Sequence, residues 1–294
     1  MNEQINKITF AQKINSYKKR PASFVMMLLT CFSAFITAFT AFSITAYILI
    51  KGIPNLNSGL FEWEYNSENV SMMPAIVNTV TVVLMTLLTA VPVGVFSAVY
   101  LTEYSNSQNR FIKIIRTTTE TLAGIPSIVY GLFGFLVFVI ALKLGNSIIS
   151  GVLTLAIMIL PTVMRTTEEA LISVPQSFRE ASFGLGAGKL RTVFKIVLPA
   201  ATPAIISGII LSTGRIVGET AALIYTAGTV AGVPNSVFKS GRTLSVHLYA
   251  LINEGLYTEQ AFATAAVLLI FVVIINMLSN LISNRLSAKK GEKK

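Results

Sequence analysis

An all-α protein crossing a membrane about six times is what the composition dictates, and three features lead there. Of 294 residues, 53% are hydrophobic and only 12% charged, whereas a soluble domain carries roughly twice that charged fraction. The apolar residues come in long runs, with a mean hydropathy of +0.69, and a hydrocarbon core about 30 Å thick needs roughly 20 apolar residues per helix. The basic residues fall between those runs, more densely in alternate connections, which is the pattern that fixes orientation in a bilayer.

Residues 1–23 are polar and basic, with Lys7, Lys13, Lys18, Lys19 and Arg20. The first apolar run, 24–50, exceeds the roughly 7–15 residue core of a secretory signal, so an uncleaved span is expected. Cys31 lies within it as the only cysteine; it excludes an intrachain disulfide and reads as a small packing residue. Five more runs follow at about 75–101, 122–142, 148–164, 196–216 and 262–282. Pro161 falls in the fourth, and Pro199 and Pro203 near the start of the fifth. Membrane helices tolerate such prolines because neighbouring groups re-satisfy the freed carbonyls. Residues 285–294 form a basic tail.

With residue 1 inside, the inner segments hold 17 Lys and Arg, against Lys51, Lys143, Lys239 and Arg242 outside. Both termini are therefore expected in the cytoplasm, with 167–195 a cytoplasmic loop. The net charge of +10 would suggest nucleic acid in a soluble protein; here orientation accounts for it, and the bilayer, not nucleic acid, is the expected partner. The outer segment 51–74 carries Glu62, Trp63, Glu64, Tyr65 and Glu68, read as an interfacial aromatic anchor. The outer segment 220–261, with an amphipathic stretch from Leu244 to Ile252, fits a gate, a docking surface or plain packing equally well.

The connection 167–195 is the most informative. Pro175 suits a helix start, and Gln176 to Leu185 reads as a short helix with Phe178, Ala181 and Leu185 on one face. Gly186 and Gly188 end it, since glycine accepts the left-handed backbone that helix C-termini favour. A second short helix starts near Lys189 and runs into the fifth span, making a helix–turn–helix. Gly184 to Lys189, GLGAGK, imitates a phosphate-cradling loop. That motif needs glycine where Phe183 stands and Ser or Thr where Leu190 stands, so no nucleotide site is expected in this chain.

Glu180-Ala181-Ser182, three residues, Gly186, nine residues, Ile196, one residue, then Leu198-Pro199 resembles the EAA loop of ABC-importer permeases, with Ser182 replacing the second alanine. The resemblance implies the type I importer fold of the MetI and MalG kind, set in the cytoplasmic membrane of a bacterium. It also implies a coupling helix that docks on a separate cytoplasmic ATPase, which would bind ATP and Mg; no cofactor is expected in the chain itself.

Charges inside spans are costly and point to a transport path by default. Arg215 sits in the fifth run with Glu219 four residues on, a spacing that predicts an ion pair on one helix face. A forked guanidinium matches phosphate or sulfate oxygens. Arg165, near Glu168 and Glu169, ends the fourth run. At 1.5 Å per residue Arg165 and Arg215 fall at different depths, so successive contacts are expected instead of one joint site. The string Gly214 to Ala221, GRIVGETA, is similar to a signature of phosphate-specific permeases, as are Gly124 to Gly134 and Leu160 to Glu168. The likeness is to the PstA type, and Ala222 departs from the proline of many relatives. It implies a phosphate importer in which this chain forms half of a heterodimeric pore. The implied partners are a PstC-type permease, two PstB-type ATPase subunits and an extracytoplasmic PstS-type phosphate-binding protein. Another oxyanion such as sulfate or molybdate is the alternative cargo. An ion-coupled secondary transporter gives no reason for the 180–199 spacing. One histidine, His247, and no aspartate leave no nucleophile–base cluster, so no enzyme is expected.

Overall fold

The computed structural model describes residues 21–105 and 109–291; the expected segment 1–20, with its five basic residues, lies outside them. The described residues divide into two compact units, one ending at Lys51 and the other starting at Gly52. The first is essentially one helix, α1 (Pro21–Gly52). Its aromatic and aliphatic side chains are exposed along the whole length, Phe42 at 74%. Thr30, Thr37 and Thr45 turn their hydroxyls back to the carbonyls of Met26, Ser33 and Ala41 at 2.8–2.9 Å. An all-round apolar helix whose few polar groups are satisfied internally is suited to lipid.

The second unit contains α2 (Met73–Val99), α3 (Arg110–Ala123), α4 (Ser127–Gly134) and α5 (Ile148–Ile172). Then come α6 (Gln176–Gly184), α7 (Lys189–Thr192), α8 (Leu198–Gly218), α9 (Ala221–Thr226), α10 (Leu244–Glu254) and α11 (Thr258–Gly291). Wider π turns extend α2 over Tyr100–Tyr104 and α4 over Phe135–Ala141, and join α7 to α8 over Val193–Val197.

Helix α5 is the axis of this unit: 61% of its most apolar stretch is buried, against 39% for α2 and less for the other long helices. Val152, Leu155, Ile159 and Val163 line its core face. The neighbours approach it at glycines, where a side chain would collide. A Cβ on Gly94 of α2 would meet Val163, one on Gly134 would meet Thr154, and one on Gly208 of α8 would meet Thr166. Small residues let helices close up where lipid offers no hydrophobic drive for packing.

Five described helices are long and apolar enough to span a membrane: Ala22–Asn55, Met73–Tyr104, Ile148–Ile172, Lys189–Gly218 and Thr258–Leu278. They contain the expected runs 24–50, 75–101, 148–164, 196–216 and, for the described residues, most of 262–282. The third run differs. Instead of one span over 122–142, α3 and the helix from Ser127 to Ala141 meet at a 105° bend. Gly124 and Pro126 cause it, because proline lacks an N–H and drives the residue before it out of helical geometry. The Tyr130 hydroxyl, donating to the Leu122 carbonyl at 2.8 Å, staples the elbow. The fourth run is also longer than its apolar part. It continues as helix through Thr166, Thr167, Glu168 and Glu169 to Ile172, since helix propensity does not stop where hydropathy does.

Candidate functional site

Two places collect the residues singled out above, one mid-unit around Arg215 and one at the end of the unit that carries α6. At the first, α8 ends at Gly218 and Glu219 turns to extended backbone, φ −71° and ψ 126°. The expected helical Arg215–Glu219 pair is therefore not formed, because the i, i+4 spacing places side chains together only while the helix continues. The Glu219 carboxylate instead accepts the Ala222 N–H at 3.1 Å, holding the start of α9. Its carbonyl accepts the Ser245 hydroxyl at 2.6 Å, tying in α10. Ala222 thus supplies an N–H that a proline would lack.

Arg215 is half-buried and has no ion-pair partner among the described residues. It directly precedes Ile216 and Val217, which pack into the core, and it lies within electrostatic range of the Tyr130 hydroxyl. The two strings that look alike in sequence to one family also meet in space. A Cβ on Gly131 would come within 2.8 Å of Ala222 Cα, so the elbow helix α4 rests directly on α9. A cation in a low-dielectric layer without a carboxylate is costly unless an anion joins it, and among the described residues no hydrogen bond or ion pair engages this fork.

Arg165 differs in kind. It pairs with Glu169 at 3.0 Å on the surface of α5, both side chains 63% exposed. Glu168 turns the other way, to Arg116 of α3 at 3.2 Å. Thr166 lies against Gly208, seven residues before Arg215, so the two arginines stand about 10 Å apart along the unit.

At the other place, α6 and α7 form the expected helix–turn–helix, with Gly186 left-handed at φ +80°. Glu180 and Ala181 are exposed, as are Phe178 at 49% and Leu185 at 89%. The expected apolar face of this helix therefore points away from the chain. Ser182 is the buried position, 3% exposed, and its hydroxyl bonds to Thr192 of α7 at 2.8 Å. Ile196, Leu198 and Pro199 are half-buried in the continuous run from α7 into α8.

Arg179 was legible only as one more basic residue, yet it organises this end. Its Nη2 donates to Glu103 Oε1 at 2.6 Å and to the Leu171 carbonyl at 3.0 Å, its Nη1 to the Val174 carbonyl at 2.9 Å, and its Nε to the Glu103 carboxylate. The side chains are 11% and 8% exposed. Leu171 lies at the negative end of the α5 dipole, where a cation is favoured. Beside the pair runs a cleft of about 560 Å³ lined by Glu103, Pro175, Gln176, Arg179, Phe183 and Lys189.

At the opposite end, the outer segments read as anchor and loop pack together. The Arg242 guanidinium lies 4.5 Å over the Tyr65 ring, and His247 meets the same ring edge-on at 6.2 Å. His247 is fully buried. Burial, and then the Arg242 charge, lower its pKa to about 3, the facing Val70 carbonyl opposing them. Folding therefore holds the imidazole neutral where the unfolded chain would protonate below its ordinary 6.5. The stability this confers is complete above pH 6.5 and declines as pH falls toward 3, by at most about 1.4 kcal/mol per unit. Thermal unfolding of the purified chain should accordingly weaken between pH 6.5 and 4, and His247→Leu should flatten that decline. An unchanged profile in the variant would assign the acid sensitivity elsewhere.

Residues 90–290 match the family described as "Binding-protein-dependent transport system inner membrane component". The chain is 34% identical over 250 residues to the "Probable ABC transporter permease protein YqgI" of Bacillus subtilis, covering 79% of this chain and 85% of that protein. It is 37% identical over 191 residues to the "Phosphate transport system permease protein PstA" of Mycobacterium leprae, covering 64% of this chain and 62% of the relative. Among solved structures, a chain of a bacterial alginate ABC transporter bound to its pentasaccharide-loaded periplasmic protein shares the fold. Its TM-score is 0.63 at 15% identity, over 92% of this chain and 96% of that one.

Proposed function

Because the chain belongs to the family of inner membrane components of binding-protein-dependent transport systems, we propose that it is the phosphate-conducting permease subunit of an ATP-driven importer. The chain is a multi-pass membrane permease component of an ABC importer, a transport subunit. Phosphate as cargo rests on one observation above the others. Arg215, a half-buried cation without an ion pair among the described residues, stands where the two family-like strings converge. A permease path needs such transient attraction, strong enough to admit an anion and weak enough to release it. Likeness to the mycobacterial phosphate permease supports the same cargo.

In this reading Arg215 is the principal contact and Glu219 shapes it by holding α9, while Arg165 adds field nearer the α6 end. The excess of basic residues in alternate connections puts α6 and both termini in the cytoplasm. The exposed face of Phe178, Ala181 and Leu185, with Glu180 beside it, docks on a PstB-type ATPase, which binds ATP and Mg; this chain holds no cofactor. The spacing from Glu180-Ala181-Ser182 through Gly186, Ile196, Leu198 and Pro199 serves that coupling. A PstC-type permease completes the heterodimeric pore, and a PstS-type protein delivers phosphate from outside. ATP closes the ATPase pair and opens the pore outward; hydrolysis resets it.

Uptake of labelled phosphate by vesicles holding the assembled complex is the test. It should depend on ATP and the binding protein, and unlabelled phosphate should compete far better than sulfate or molybdate. Superior competition by another oxyanion would replace the cargo, and uptake persisting without the ATPase would sink the importer mechanism.

A further inference from the structure

The coupling helix α6 has two covalent connections, through 173–175 to α5 and through 185–188 to α7 and α8. Helix α2 has none near it, yet α2 is bound to α6 by the Arg179–Glu103 pair, formed between residues 76 apart in sequence. The pair is buried and engages all three guanidinium nitrogens, counting the carbonyls at the end of α5. At its other end α2 holds a second set of bonds. Asn78 Nδ2 donates to the carbonyls of Gly232 and Arg242, each at 3.1 Å, and the Thr79 hydroxyl accepts the Leu244 N–H at 2.8 Å. These are the anchor points of the loop between α9 and α10, which carries the buried Arg242 and leads into His247. Asn78 and Glu103 are separated by about 37 Å of helix.

We infer that α2 is a transmission rod, with Arg179–Glu103 as the joint at the ATPase end and Asn78 as the joint at the far loop. The reading rests on α6 being the ATPase-docking helix. Displacement of α6 reaches α5 and α8 through the chain; it reaches α2 indirectly through the packing of α2 on α5 and directly through this ion pair. A fork held by three partners resists both translation and rotation, unlike the neighbouring contact of Lys189 over the Tyr104 ring at 5.2 Å. Packing of α2 on α5 at Gly94, two residues after Pro92, braces the helix against the central one. The far loop then moves with the nucleotide state of the ATPase, giving the outer end of the permease its own link to hydrolysis. Glu103, Arg179 and Asn78 are positioning residues in this scheme; none touches cargo.

A demonstrated coupling, beyond a chain of contacts, is what such a scheme requires. The test uses the assembled complex with Glu103→Gln, which keeps an acceptor for Arg179 but removes the charge, and with Asn78→Ala. Each should leave ATP hydrolysis within about twofold of native while phosphate moved per ATP falls tenfold or more. The double variant should lose no more than the worse single one, since one rod broken twice is broken once. A second readout is independent of cargo. Spin labels at Asn235→Cys and Leu256→Cys, in a Cys31→Ser background, report the far loop with and without nucleotide trapped by vanadate. A distance change in the native complex that Glu103→Gln abolishes supports the rod. The inference is overturned by an immobile native far loop, by a Glu103→Gln complex moving as the native does, or by hydrolysis and uptake falling in proportion. If the native complex carries no phosphate, the cargo reading fails and the label distances still decide the rod.

Discussion

Replacing Arg215 with Gln should reduce ATP-driven phosphate uptake by about 10- to 100-fold without loss of the assembled complex. Hydrogen bonds to a charged group contribute roughly 1.5–3 kcal/mol, and each 1.4 kcal/mol is a factor of ten. Arg215 has no ion pair to surrender among the described residues, so its removal does not strand a buried carboxylate. Glu219 keeps its bond to the Ala222 N–H either way. The variant should therefore fold, copurify with the ATPase and still hydrolyse ATP. Arg215→Lys keeps the charge but loses the planar fork, and should fall between. Near-normal uptake by the Gln variant would make Arg215 structural and remove the observation that best supports phosphate. Arg165→Gln is the contrast. Its pair with Glu169 is 63% exposed on both sides, where ion pairs contribute about 0–1 kcal/mol, so uptake should change less than about fivefold.

Arg179→Ala should produce the largest loss of stability in the chain, about 3–5 kcal/mol, because it leaves the Glu103 charge buried and uncompensated. Two carbonyls at the end of α5 lose their donor at the same time. Thermal unfolding of the purified chain in detergent is the measurement. The informative companion is Arg179→Leu with Glu103→Leu. Removing both partners of a buried pair in favour of apolar groups is often neutral, so the double variant should be more stable than Arg179→Ala alone. If the double variant is the less stable of the two, the pair's own attraction and not the stranded charge dominates. If Arg179→Ala unfolds like the native chain, the guanidinium bonds at this end hold nothing together.

What could be read before the structure was whatever depends on neighbouring residues. Apolar runs located five long helices, and Pro175, Gly186 and the Glu180-to-Pro199 spacing drew the α6–α7 turn. What was missed depends on where a helix stops or on residues far apart. Summed hydropathy ran 122–142 together although Gly124 and Pro126 stood inside it, and it cut α5 short where polar but helix-compatible residues began. The Arg215–Glu219 pair failed for a similar reason, with Gly218 between them as the available warning. Nothing local announced that Arg179 would find Glu103 76 residues away. Ser182 reads in the sequence only as a departure from the family pattern, and it is the position that bonds α6 to Thr192.

The π turn at Val193–Val197 has a consequence for how this chain tolerates change. Each residue advances a helix by about 100°, so a wide turn is a helix holding one residue more than its length requires. Deleting Lys195 there would let the run from α7 to α8 close as ordinary α-helix, with no hydrophobic position lost. Because the wide turn absorbs its extra residue locally, the flanks would keep nearly the same rotation, and the exposed face of α6 would keep its heading relative to Arg215. The same deletion in the regular helix on either side would turn one flank by about 100° against the other. The spare residue is slack stored inside the helix, and this stretch should tolerate a one-residue gap that its neighbours would not.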